Sequence, residues 1–143
     1  MTLPASLVGR TYPTHVYPVS RAKVVEFVVA LGNPAPVESA EPLVAPPTFA
    51  MIPVMRGFES LVADLGIELA RVVHTDQSFE HSRAIRSDDV LHTTASIDSH
   101  RDLRGSDLLG LSCAIHDDIG ELVTRAHSGL LIRPVEHSME NDE

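Results

Sequence analysis

The stretch TFAMIPVMRGFESLVADLG, residues 48 to 66, decides the fold. Written as a helix, it has apolar side chains around most of its axis. Only Arg56, Ser60 and Asp64, spaced by four, with neighbouring Glu59, leave a narrow polar stripe. A helix that is apolar nearly all round is normally a buried one. Pro53 is expected to break or kink it near its start, because proline lacks the backbone N–H and crowds the preceding turn. Gly66 is a natural stop. A buried helix needs a cover, and the rest of the chain has to supply it.

After Gly66 the pattern changes to period two. Residues 67 to 81 read as a strand with imperfect alternation. In 91–98, Leu91, Thr93, Ala95 and Ile97 face one way and His92, Thr94, Ser96 and Asp98 the other. Leu109, Leu111, Cys113 and Ile115 repeat the alternation, as do Leu122, Thr124, Ala126, Ser128, Leu130 and Ile132. Turn-forming residues separate these runs, at 86–89, around Gly105 and at 117–120. Long strands joined by tight turns give an antiparallel meander.

Upstream, YPTHVYP (12–18) is a short extended segment that its prolines confine to a sheet edge. Ser20 suits a helix N-cap. Val24, Phe27, Val28 and Leu31 then fall on one helical face, Gly32 ends the helix and Pro34 forbids its continuation. Residues 33 to 47, NPAPVESAEPLVAPP, form an irregular proline-rich connection. The order is strand, helix, loop, buried helix and about four long strands. The expected class is α+β: a curved antiparallel sheet wrapped around a central apolar helix, the hotdog arrangement. One domain spans residues 1–135, followed by an acidic, frayed tail at 136–143.

Composition limits the function. The net charge of −9 disfavours a nucleic-acid partner, which needs clustered Lys and Arg. No apolar run reaches the roughly 18 residues of a membrane span, and the N-terminus does not read as a signal peptide. The single cysteine, Cys113, excludes an internal disulfide and a multi-thiolate zinc site; it reads as a buried thiol and suits a cytoplasmic setting. No metal and no cofactor is expected.

Four segments carry a resemblance across roughly residues 6 to 134: LVGRTYP before the first strand, VSRAKVVEFVVALGN as the first helix, APPTF entering the central helix, and HTDQSFEHSRAIRSDDVL running into the strands. On these the chain resembles the MaoC-type hotdog dehydratases. Within them it is most similar to the N-terminal, non-catalytic half, which in actinobacteria occurs as a separate small protein, as in the A-subunit type of the mycobacterial type II fatty-acid synthase dehydratase. The resemblance implies a dimer of hotdogs with sheets joined edge to edge. It also implies an acyl thioester, on coenzyme A or acyl carrier protein, as ligand. The reaction implied is removal of water from a (3R)-3-hydroxyacyl chain, or the reverse.

Catalytic members carry Asp-x-Asn-Pro-x-His, whose Asp and His handle the proton and the water. A backbone N–H at the start of the central helix polarises the thioester carbonyl. Aligned on Asn33-Pro34, this chain has Leu31 for the Asp and Pro36 for the His, and neither carries a proton. The expectation is therefore a subunit with no catalytic residue of its own, which helps to hold the acyl chain beside a catalytic hotdog partner. The connection between Pro34 and Pro46 is shorter than the resemblance leads one to expect of a relative that handles long chains. A homodimeric acyl-CoA-binding hotdog is the alternative; a thioesterase using Asp64 or Glu59 to direct water is a third.

The expected acyl-binding residues are Pro47, Thr48, Phe49 and Met51, at the mouth of the central helix, where Thr48 also suits an N-cap. Met51 and Met55 read first as core filler whose flexibility suits a tunnel wall. Of the eight histidines, His15, His92, His100, His116, His127 and His137 suggest no ligand motif. His74 and Asp76, two apart, are placed to share a sheet face and hydrogen-bond. His81 with Glu80 is placed to line a cleft at a strand end. A solvated or structural role is the simpler reading for both histidines.

Overall fold

A computed structural model describes residues 3–39 and 41–136; His137 and the acidic tail beyond it lie outside the described residues. The helix expected at 48–66 is present in three joined pieces: a 3-10 turn at Pro47–Ala50, α2 at Met51–Gly57 and α3 at Glu59–Leu65. Phe58 carries the helix across the junction, its N–H bonding the Val54 carbonyl (3.1 Å) and its carbonyl accepting from Val62 (2.9 Å). Pro53 neither breaks nor kinks the start. It occupies the first turn of α2, where a missing N–H costs little. Gly66 ends the helix in the left-handed conformation, φ 61°.

The sheet has five antiparallel strands in the order β1-β3-β4-β5-β2. These are β1 (His15–Pro18), β2 (Val72–His81), β3 (Val90–Leu103), β4 (Ser106–His116) and β5 (Leu122–Ile132). The first helix, α1 (Arg21–Ala30), begins at Ser20, whose hydroxyl accepts from the Lys23 N–H at 3.0 Å. The inner face of β3 and β4 is the one that alternation assigns: Leu91, Thr93, Ala95, Ile97, Leu109, Leu111, Cys113 and Ile115 are all buried. They pack against Phe49, Val54, Phe58 and Leu61 of the central helix. A Cβ at Gly57 would come within 2.8 Å of Thr93 Cγ2, so glycine there lets the helix rest on β3.

Two assignments shift. The strand expected from residue 67 begins at Val72, because Leu69–Arg71 close a 3-10 turn. On β5, Leu122 is only half-buried while Val123 and Thr124 are both buried. Ile115 pairs with Thr124 and His116 with Leu122, so Val123 is the extra residue of a bulge.

The curvature has a visible cause. A line runs across the sheet from a β3 bulge between Ile97 and Ser99, through paired Gly110 and Gly129, to a β2 bulge between His74 and Asp76. A side chain at Gly110 would collide with the Ser99 hydroxyl, and one at Gly129 with Thr75 and Asp76. Bulges and glycines bend strands, and here they lie in one row, the crease about which the sheet folds over the helix. Its two edges differ. β1 has four residues and ends in Pro18, whereas β2 presents ten residues with one side unpaired.

Candidate functional site

The start of the central helix is fixed from two sides. Phe27 of α1 meets the fully buried Phe49 ring edge-on, centroids 5.4 Å apart. The end of the linker is bonded to the β2–β3 connection: Ala45 N–H to the Ile85 carbonyl, Ser87 N–H to the Leu43 carbonyl and Leu43 N–H to the Ser87 hydroxyl, each 2.8 Å. Between them lies a cavity of about 240 Å³ lined by Val44, Ala45, Pro46, Pro47, His81, Ala84 and Ile85.

His81 is the one ionisable side chain in that lining. Its Nδ1 is 2.8 Å from the hydroxyl of buried Thr124, and its ring stacks on Phe79 at 5.7 Å and 24°. These contacts fix the plane of the imidazole. Among the described residues Nε2 has no protein partner. The connection behind it is held by Arg83, which makes a two-pronged bond to Asp89 (2.8 and 3.1 Å) and reaches Asp117 (3.5 Å). The bond to Asp89 is the main reason that the Arg83 pKa is raised.

The residues expected at the site separate. Pro47 lines the cavity. Thr48 is exposed and makes no capping bond, because the turn already starts at Pro47, whose fixed φ suits that position. Phe49 is core rather than mouth, and Met51 is half-buried outside the lining. Met55 is not core filler: it is 49 % exposed and lines an apolar groove with Phe58, Val62, Ala63 and Leu69. Leu31 is 52 % exposed at the end of α1, and Asn33 and Pro34 are exposed beyond it.

His74 and Asp76 do not pair. The bulge at Thr75 breaks their shared face; His74 Nε2 meets Gln77 Oε1 at 3.1 Å and Asp76 accepts from Thr75 at 2.9 Å. Asp64 accepts from Arg10 (2.7 Å) and the Tyr12 hydroxyl (2.8 Å), and Glu59 accepts from Arg56 (3.1 Å). Arg10, then Tyr12, hold the Asp64 carboxyl below its ordinary range. Sequence reasoning missed one pair, His100 and Asp107, bonded at 2.8 Å with side chains 7 % and 3 % exposed. Asp107 also accepts the Leu3 N–H at 2.9 Å. The β3 bulge reverses the alternation and turns His100 inward, and nothing in the local pattern marks it.

Cys113 is buried, and desolvation pushes its thiol up to about 12. Among the described residues no three His, Cys, Asp or Glu side chains gather in a way that could hold a metal ion, and no helix is long and apolar enough to cross a membrane.

The family model of the FAS1-like dehydratase domain region matches residues 6–125. The chain belongs to this family. Its relatives include UPF0336 proteins. One from Streptomyces avermitilis is 39 % identical over 148 residues, covering 95 % of this chain and 99 % of the relative. One from Leifsonia xyli is 36 % identical over 140 residues, covering 90 % and 94 %. Among solved structures, the HadBC (3R-hydroxyacyl-ACP dehydratase) complex of Mycobacterium tuberculosis superposes with a TM-score of 0.76 at 24 % identity, over 87 % of this chain and 96 % of that one. A MaoC-like dehydratase gives 0.77 at 25 % identity, over 91 % of this chain and 43 % of that one. The ChsH1–ChsH2 complex of the same mycobacterium gives 0.65 at 16 % identity, over 93 % and 91 %. The fold of this MaoC-like member is the hotdog, a curved sheet around a central helix.

Proposed function

We propose that this FAS1-like dehydratase-family chain is the subunit of a (3R)-3-hydroxyacyl-thioester dehydratase, or enoyl hydratase, that lacks its own catalytic pair and works beside a catalytic hotdog partner. The observation that carries the reading is the chemistry at the two motif positions: Leu31 and Pro36 hold no titratable group. General acid–base catalysis at a 3-hydroxyacyl chain needs a proton carrier within hydrogen-bond reach. His81, the one candidate in the cavity, bonds no carboxylate among the described residues.

The cavity from Val44 to Pro47, with Ala84 and Ile85, is apolar enough to take an aliphatic chain, and Thr48 borders it in sequence. Phe49 and Met51 would then support that wall from behind. The partner would join at β2, the long unpaired edge. Two of the structural neighbours are complexes of named hotdog subunits, HadBC and ChsH1–ChsH2, which supports a mixed pair here.

The test is an assay with crotonyl-CoA and longer enoyl-CoA substrates on the purified chain alone, then on its mixture with a hotdog subunit carrying Asp-x-Asn-Pro-x-His. Activity only in the mixture is expected. Turnover by the chain alone, abolished by His81→Gln, would overturn the reading.

A further inference from the structure

The end of β2 opposite His81 carries a second cleft, about 510 Å³, lined by Glu68, Arg71, Ser106, Arg133, Pro134, Val135 and Glu136. Two guanidinium groups meet there. Arg71 Nε donates to the Arg133 carbonyl at 2.7 Å, and Arg133 Nη2 donates to the Ala70 carbonyl at 2.8 Å. The backbones are joined as well, Arg133 N–H to the Arg71 carbonyl at 2.9 Å. Each side chain is thus oriented by a neutral acceptor and keeps unused N–H donors. Arg10, Arg56 and Arg83 each close an ion pair, but among the described residues Arg71 and Arg133 close none, although Glu68 and Glu136 line the same cleft. Two oriented forks that bond no carboxylate among the described residues, and that keep donors pointing into the cleft beside Glu68 and Glu136, suit an oxyanion with several acceptor oxygens.

Position adds a reason. Val72 and His81 are nine steps apart on one strand, about 30 Å. A ligand in the His81 cavity of this chain would not lie beside Arg71. If two hotdogs join at β2 about a two-fold axis, the strands pair antiparallel, and the start of one lies beside the end of the other. The Arg71–Arg133 cleft of this chain then flanks the cavity of its partner.

We propose that Arg71 and Arg133 bind the phosphate ester of the acyl carrier arm, on coenzyme A or on a carrier protein's phosphopantetheine, while the acyl group occupies the partner's site. This rests on the function proposed above and states what the non-catalytic subunit contributes to substrate binding.

Two measurements test it. The first needs no partner: the Arg Nε signals of the purified chain are followed by NMR during titration with coenzyme A. Saturable shifts at Arg71 and Arg133 are expected, absent with phosphate-free pantetheine. Absence of saturation below about 10 mM, or equal shifts with pantetheine, overturns the proposal. The second uses the active mixture. Arg71→Gln with Arg133→Gln should raise KM for crotonyl-CoA about tenfold with kcat unchanged, and leave the KM for crotonyl-pantetheine alone. Arg71→Lys, which keeps the charge, should recover part of the loss. A like effect with phosphopantetheinylated carrier protein would assign the shared phosphate, and an effect with coenzyme A alone would assign its nucleotide phosphates. An unchanged KM in an active mixture overturns the phosphate site and leaves the subunit reading standing. An inactive mixture counts against the subunit reading, and the NMR titration then decides the cleft by itself.

Discussion

Thr93 sits where the central helix presses on the sheet, fully buried, with an Oγ1 that has no hydrogen-bond partner among the described residues. An unsatisfied buried hydroxyl costs about 1–3 kcal/mol, and valine has nearly the same shape without it. Thr93→Val is therefore expected to stabilise the fold by about 1 kcal/mol, read as a higher urea midpoint at constant m-value. A lower midpoint would mean that the hydroxyl has a partner in solution. Its neighbour Cys113 illustrates the opposite case, a group silenced by burial. With its thiol pushed up to about 12, it should resist iodoacetamide at pH 8 in native buffer and react once urea unfolds the chain. At this scale the sequence was informative about chemistry that is missing and poor about chemistry that is present. Leu31 and Pro36 can be read as proton-free from their identity alone. That His81 rather than His74 reaches the cavity depends on which end of β2 meets the Val44–Pro47 linker, a contact between segments distant in sequence that no local residue pattern marks.

Elements follow their periodicity until a bulge or a turn intervenes. The central helix, the inner faces of β3 and β4 and the stop at Gly66 were all legible, because burial enforces a strict pattern. The 3-10 turn at Leu69–Arg71, the extra Val123 and the inward turn of His100 were not, because each depends on pairing with a strand distant in sequence. The β3–β4 hairpin offers a test of local turn chemistry. Its two turn residues, Arg104 and Gly105, both have positive φ, 53° and 90°, the geometry of a type I′ turn. Glycine is at ease there, whereas arginine is strained by about 1 kcal/mol. Arg104→Asn, which restores the preferred Asn-Gly pair, should raise the melting temperature by a few degrees. A fall would show that Arg104 makes a stabilising contact through its side chain.

For the whole molecule, the question is what keeps the helix seated in the sheet it enters from one edge. The segment before β1 runs along β3, with Gly9 N–H on the Ile97 carbonyl (2.8 Å) and Tyr12 N–H on the Ala95 carbonyl (3.0 Å). From there the Arg10 and Tyr12 side chains converge on Asp64 of α3, joining sheet edge to helix. At the other end of β3, Asp117 accepts from the backbone N–H groups of Glu121 and Ile119 and from Arg83, which holds the loop behind His81. Both carboxyls are held below the ordinary range, Asp64 chiefly by Arg10 and Asp117 chiefly by the Glu121 N–H. A carboxylate with a depressed native pKa contributes stability that is fully present above its unfolded pKa, about 3.9, and is lost as pH falls through the native value. The protein should accordingly keep a constant urea midpoint from pH 7 to about 5 as far as these two groups are concerned, then lose stability below about 4. Asp64→Asn removes one of them. The variant should be less stable at neutral pH, lose less on acidification, and approach the wild-type midpoint at the acid end. Two curves that stay parallel down to acid pH would show that Asp64 gains nothing from Arg10 and Tyr12 in solution, and that the helix is seated by its apolar contacts alone.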